Sequence, residues 1–221
     1  MRELRTQQDA SFLEFARSLT AADWTAPSAC AGWTAKDVLA HLALGLHLPT
    51  GRLLAEIARR RGSFDAANDV LSRRHASERE VSELIEEFDR YRHRPRGIGR
   101  LLPQALLLGD HTVHHIDIAL GLGRPAALAP AVADAVLRVE TSVPNPFVPA
   151  RARSAGLRLV ATDTGWTRGP VDAPQVRGHA ADLIAALAGR VAALCTLSGG
   201  GVAMLARRVP VRAPGRVDPT R

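Results

Sequence analysis

The sequence predicts an α+β protein, with a helical bundle over residues 1–143, a small α+β module over 150–209, and a disordered tail at 210–221. Three observations carry this division. Apolar residues recur at helical spacing up to about position 140. Pro144, Pro146 and Pro149 then place three prolines in six residues, the composition of a linker or boundary. Beyond them, Leu157 to Thr162 alternates in the manner of a strand.

Residues 3–20 read as an amphipathic helix with Phe12, Phe15 and Leu19 on its apolar face. Ala21 to Trp33 is loop-like, containing Pro27, Cys30 and Gly32. Thr34 can cap the next helix, with Asp37 in its first turn. That helix runs through Val38, Leu39, His41, Leu42 and Leu46 until Pro49 closes it. Another runs from Thr50 to Arg61, stopped by Gly62, and residues 63–76 are helical or turn-rich. Ser77 is the expected cap of a helix from Glu78 to Arg92. His93 to Gly99 is basic and broken by Pro95 and Gly97. Pro103 starts a helix that ends near Gly121 to Pro125, and Pro130 starts one that reaches about Val139. In the second module, Asp163-Thr164-Gly165 is a turn and Trp166 to Val171 its return strand. Gly178 to Leu194 reads as a helix with Leu183, Ile184, Leu187, Val191 and Leu194 at helical spacing, and Val202 to Val209 as a short strand. There is no internal repeat.

The composition, 46% hydrophobic and 23% charged, is that of a globular chain. No apolar run reaches membrane-spanning length and no basic-then-apolar leader is present, so neither a span nor a signal peptide is expected. Cys30 and Cys195 are distant from one another and read as reduced thiols, which points to the cytoplasm. The net charge of +7 invites a nucleic-acid reading, and three features argue against it. Lys36 is the only lysine, so the basicity is arginine throughout an alanine-rich chain. The arginines are scattered apart from Arg59-Arg60-Arg61 and the run from Arg92 to Arg100. With 4% aromatic residues there is nothing to stack bases.

The candidate chemistry lies in two helical segments about 70 residues apart, VLAHLALGL and GDHTVHHIDI. Asp110 and His114 are spaced i, i+4 and share a helix face. With His41 from a neighbouring helix they make two imidazoles and a carboxylate, a ligand set used by catalytic zinc with one position open. Three histidines and two aspartates within eight residues exceed what packing needs. His111 and His115 are also i, i+4, and the two pairs point about 100° apart, so only one can face the bundle centre. Asp117, three residues after His114, is placed either to orient that imidazole or simply on the helix surface. Cys30 reads as a small buried hydrophobe more than a thiol-exchange partner, and Cys195 as helix core. Trp24 and Trp33 read as packing residues that fix their loop. Arg190, Arg207 and Arg208 can project toward a carboxylate substrate, and nothing in the sequence selects one.

The segment DWTAPSACAGWTAKDVLAHLA resembles the opening of the mycothiol-dependent maleylpyruvate isomerase family, where a W-x-x-x-S/T-x-C-x-G-W-x-x-x-D-V-x-x-H-L run carries the first metal histidine. LLLGDHTVHHIDIALGLGRP resembles that family's second block, and GLRLVATDTGWTRG with VRGHAADLIAALAGR its C-terminal module. The resemblance spans roughly residues 10–210. It implies a DinB-like four-helix bundle followed by a sterol-carrier-protein-like α+β module. It implies a divalent metal, usually zinc, held by His41, Asp110 and His114, with His111 and His115 left out. It also implies mycothiol or a similar low-molecular-weight thiol as cosubstrate, and a small-molecule electrophile as partner. One departure stands out: the family's middle ligand is usually glutamate, and this chain carries Asp110, one methylene shorter. The expected function is thiol addition to an electrophile, as an isomerase or S-transferase. The second expectation is a non-catalytic metal- or small-ligand-binding protein of the same bundle type.

Overall fold

The structure, a computed structural model, describes residues 1–145 and 148–209. The sequence orders twelve α-helices and three strands among these residues. They are α1 (Arg2–Ser18), α2 (Ala21–Thr25), α3 (Ala35–Gly45), α4 (Thr50–Arg59), α5 (Phe64–Ser77), α6 (Val81–Arg92), α7 (Gly97–Leu101), α8 (Gln104–Gly121), α9 (Pro130–Ser142) and α10 (Ala150–Ser154). There follow β1 (Arg158–Ala161), β2 (Thr167–Arg168), β3 (Gln175–Gly178), α11 (Ala180–Leu187), a 3-10 turn (Val191–Thr196) and α12 (Val202–Ala206). The tail at 210–221 lies outside the described residues, as do positions 146–147 of the proline-rich boundary.

Four helices form the bundle: α1 and α3 each pack against both α6 and α8. Their apolar faces supply the first core, in which Phe12, Leu13, Val38, Leu39, Leu42, Leu84, Phe88 and Ile118 are buried. Phe12 and Phe88 meet edge-to-face with centroids 5.2 Å apart, an arrangement worth about 0.5–1.5 kcal/mol beyond area burial. α5 covers the outer side of α3, and α4 covers α5. This stacking brings α3 and α8 side by side, with α5 behind α3, and so sets the position of the candidate ligands.

β1 lies at the centre of a three-stranded sheet ordered β2-β1-β3, antiparallel to β2 and parallel to β3. A second core joins this sheet to the bundle. It contains Leu108, Val113 and Ile116 of α8, Val132, Val136 and Leu137 of α9, Leu159 and Val176 of the sheet, and Leu183, Ile184 and Leu187 of α11. Among the described residues every strand of the sheet falls after position 157. No helix among them is long and apolar enough to cross a membrane.

Several elements differ from the sequence reading. Ala21–Thr25 is a helix, because Thr20 and Asp23 form a reciprocal capping box. Ser77 closes α5, its hydroxyl donating to the Arg74 carbonyl at 2.8 Å, and Glu80 with Glu83 caps α6 instead. The helix expected over 178–194 stops after α11, where Gly189 takes φ +99°. Its remainder becomes the 3-10 turn, which leaves Cys195 exposed instead of in the core. Val202 to Val209 folds as α12 and a turn: Leu205 and Val209, four apart, both reach the core, so helical spacing wins over apparent alternation.

Candidate metal centre

The site begins with a docked loop. Pro27 and Thr34 pair across it, Ser28 Oγ donates to the Trp33 carbonyl at 2.9 Å, and the Ala29 amide donates to the Asp117 carbonyl at 2.9 Å. The close approach requires a glycine on α8: a Cβ at Gly121 would lie 2.4 Å from the Pro27 carbonyl oxygen. The loop leads into α3, whose start is fixed by the Thr34–Asp37 capping box. His41 projects from the second turn of that helix.

α8 presents two polar faces. His111 and His115 turn toward α1. His111 Nδ1 lies 2.6 Å from Asp9 Oδ1, and Asp9 in turn pairs with Arg5 at 2.9 Å. His115 Nδ1 faces the Gln8 amide nitrogen at 3.1 Å, and its ring packs against Phe12 and Phe15. Burial pushes His115 down to about 4, so the ring is neutral and accepts from Gln8. Asp110, His114 and Asp117 turn instead toward α3 and the docked loop.

There the donor atoms of His41, Asp110 and His114 lie within 4.8 Å of one another. His41 Nε2 is 3.6 Å from one oxygen of Asp110, and His114 Nε2 is 3.6 Å from the other. The outer nitrogen of each ring is engaged. His41 Nδ1 faces the Asn68 side-chain oxygen at 3.1 Å, and His114 Nδ1 donates to Asp117 Oδ2 at 2.9 Å. Both Nε2 lone pairs therefore point inward. Two lone pairs and a carboxylate at 3.6 Å are too far apart for hydrogen bonds and repel unless a positive charge sits between them. Tetrahedral zinc with bonds of 2.0–2.1 Å sets its ligand atoms about 3.4 Å apart, so this donor set and spacing fit such a cation. Burial favours a neutral His41, yet the neighbouring Asp110 carboxylate, with Asn68 and the charge of Asp117, raises its pKa overall. Burial also raises Asp110, but His41 and the charges of His114 and His111 hold it well below the usual carboxylate range. Asp110 is 39% exposed while His41 and His114 are 14% and 12%, so the cluster opens to solvent on the carboxylate side.

Three supports were not read from the sequence. Asn68, on α5, could not be linked to His41 by any local pattern. Asp69, beside it, accepts from the Trp33 indole at 2.6 Å, which lays the Trp33 ring against both His41 and His114. Arg190, one of three arginines the sequence left equal, forks onto Asp117 with both contacts at 2.6 Å. Burial alone would raise Asp117, but Arg190 and His114 hold it at about 2. Asp117 is thus a buried carboxylate that fixes the His114 ring. Cys30 Sγ lies in the same region, within 4.8 Å of donor atoms of His114 and Asp117.

A second cluster was also missed. His47 follows α3, His75 lies on α5 and Glu87 on α6. His75 Nε2 is 2.8 Å from Glu87 Oε1, and His47 Nε2 meets the same oxygen. Arg79 contacts Glu87 Oε2 at 3.3 Å and His75 Nδ1 at 3.1 Å. Burial raises Glu87, but its bonds from His47 and His75 prevail and hold it at about 2.

Residues 5–119 match the family described as the mycothiol maleylpyruvate isomerase N-terminal domain. Two solved structures are similar over almost the whole chain: a mycothiol-dependent maleylpyruvate isomerase and a histidine-to-alanine mutant of it. Each shares 14% identity with a TM-score of 0.52, covering 97% of this chain and 95% of the other, a likeness of fold. No curated protein gives a significant match.

Proposed function

Because the chain belongs to the mycothiol maleylpyruvate isomerase N-terminal domain family, we propose that it is a metal- and thiol-dependent enzyme that adds a low-molecular-weight thiol, mycothiol or a close equivalent, to an electrophilic carbon. The carrying observation is the convergence of His41, Asp110 and His114 around a gap, with both outer imidazole nitrogens already engaged. The proposed ligands are those three residues and the proposed metal is zinc. When bound, such a cation deprotonates a coordinated thiol, which makes a nucleophilic thiolate available at neutral pH.

The protein's own residues then do three things. Asn68 and Asp117 hold the His41 and His114 rings in the tautomer that leaves Nε2 free, an orienting role that typically matters 10–100-fold in metal affinity. Arg190 compensates the buried charge of Asp117, so that Asp117 stays an acceptor. Trp33 closes one side of the cluster against water. The substrate approaches from the open side at Asp110. In the isomerase form of the reaction, the sulfur bonds to one carbon of a conjugated double bond and the π pair moves onto the carbonyl. The carbon–carbon bond, now single, rotates. Return of the electron pair expels the sulfur and leaves the other geometric isomer. An S-transferase protonates and releases the adduct instead. We further propose that residues 1–143 and 150–209 are two modules that share this site, the first supplying the ligands and the second Arg190. We place the protein in the cytoplasm, where such thiols are kept reduced.

The test is elemental analysis of the purified protein, followed by mycothiol binding with and without chelator. One zinc per chain and chelator-sensitive binding are expected. Stoichiometric zinc without thiol binding would favour the non-catalytic ligand-binding reading, and retention of full zinc in a His41→Ala, His114→Ala double variant would eliminate the site.

A further inference from the structure

One turn of α8 before Asp110, a cavity of about 190 Å³ opens between α8 and α9. Ala105 and Leu106 line it from α8, Val139 and Val143 from α9, with Pro103 and Pro144 at its ends. Val143 is 53% exposed, which places one wall of the cavity at the surface. Leu106 and Asp110 are i, i+4 on one face of α8, so the cavity and the metal cluster are neighbours about 6 Å apart along the helix.

Two polar side chains line this space. The Asn145 side-chain oxygen is occupied, accepting from the Val148 amide at 3.3 Å. Glu140 is 7% exposed, and its Oε2 is buried with no hydrogen-bond partner. Its other oxygen lies against α8 at Gly109, where a Cβ would come within 2.9 Å of Oε1. A buried carboxyl oxygen without a partner keeps its desolvation cost, and no group among the described residues relieves it. A ligand group in the cavity would relieve it.

We propose that this cavity holds the acceptor substrate, and that the acceptor is a small, neutral, largely apolar molecule whose carbonyl hydrogen-bonds to Glu140. The proposal deepens the reading above and rests on it for the thiol. The volume suits one ring or a short chain, since an apolar cavity of about 150 Å³ holds benzene. Among the described residues no cationic side chain lines the cavity, and its one charged lining residue, Glu140, is acidic, so a dicarboxylate such as maleylpyruvate is disfavoured in it. Burial pushes the Glu140 carboxyl above its ordinary range against the pull of Arg153, which suits a carboxyl that donates to a carbonyl. Such a bond draws charge from a conjugated double bond and makes its far carbon more electrophilic toward a sulfur held at the cluster.

The experiment uses the full-length chain with metal content measured in every sample. Cyclohexanone, an unreactive ring ketone, and maleate, a dianion of similar size, are titrated by ligand-observed NMR. Cyclohexanone should saturate and maleate should not. Glu140→Leu should weaken cyclohexanone about fivefold or more, while Glu140→Gln, which still donates and accepts, should stay within about twofold. Leu106→Trp fills the cavity from the other helix and should abolish ketone binding with Glu140 intact, so the test stands even if Glu140→Leu fails to fold. Maleate binding as tightly as cyclohexanone, or ketone binding indifferent to Leu106→Trp, overturns the proposal. Zinc and mycothiol binding together with Glu140-independent ketone binding defeats the cavity assignment alone. Glu140-dependent ketone binding in a protein that takes no zinc defeats the thiol-enzyme reading and leaves the cavity standing.

Discussion

His41–Asp110–His114 and His47–His75–Glu87 draw on the same residue types, two imidazoles and a carboxylate, and each takes one ring from α3 or the residues just after it. They differ in what surrounds them. In the first, the carboxylate touches no arginine among the described residues, and both rings are turned by outside acceptors so that their lone pairs face a gap. In the second, a single oxygen of Glu87 takes both rings, and Arg79 covers the other oxygen. Arg79 can only donate, so His75 Nδ1 must accept from it, and the proton of neutral His75 sits on Nε2 against Glu87. That ring has no lone pair left for a metal. The lesson is that ligand type and proximity do not make a cation site; the partners of the outer nitrogens and the presence of a built-in cation decide it.

The largest expected effect separates the clusters outright. His41→Ala or His114→Ala should remove stoichiometric zinc, whereas His47→Ala or His75→Ala should leave it, as read by elemental analysis of each purified variant. Zinc that follows His75 instead would reverse the comparison. Next, Asp117→Asn should lower zinc affinity about 10–100-fold without touching a ligand, because Arg190 loses its charged partner and the His114 ring its fixed orientation. Competition with a chromogenic chelator measures this, and an unchanged affinity would show that His114 needs no outside support. Third, Glu87→Gln should destabilise the fold by about 1–3 kcal/mol with zinc content intact. The folded Glu87 carboxyl is held at about 2, below its ordinary 4.5. Its contribution is therefore complete above about pH 4.5 and is lost as the pH falls toward 2. Thermal melts across that window should show the wild type losing stability and the glutamine variant losing less. The smallest change is Asp110→Glu. It keeps charge and donor type, extends reach by one methylene, and should bind zinc at least as well as the parent. A marked loss would mean that α8 sits close enough to crowd the longer side chain, for which overpacking costs about 1–3 kcal/mol.

The parts of the molecule that were legible in the sequence are those fixed by local chemistry. The Thr34–Asp37 box set the start of α3, and the i, i+4 spacing put Asp110 and His114 on one face of α8. The choice between that face and the one bearing His111 and His115 could not be read from spacing, since it depends on Gln8 and Asp9 more than 100 positions away. Asn68 and Asp69 were invisible for the same reason, and Arg190, named with Arg207 and Arg208 for a carboxylate substrate, could not be assigned to Asp117: these roles arise from the packing of α5 on α3 and of α11 on α8. The strand β3 was missed because four residues carry too little alternation, and α12 was misread because a short apolar run satisfies both periods. Glu140 carries no sequence signal, because its burial comes from the packing of α9 on α8.

The fork of Arg190 onto Asp117 works as an interlock between α8 and the segment that follows α11. Arg190 sits just after α11, packed behind the sheet, whereas Asp117 belongs to the helix that carries two of the three inward donors. A chain cut before α11, or one whose C-terminal part has come loose, would leave a fully buried carboxylate beside His114 with no guanidinium to answer it. The His114 ring, whose Nδ1 donates to that carboxylate, would then lose the fixed orientation that Asp117 gives it. The orientation of the His114 ring thus depends on the segment after α11, and the geometry of the cluster is complete only once that segment is seated.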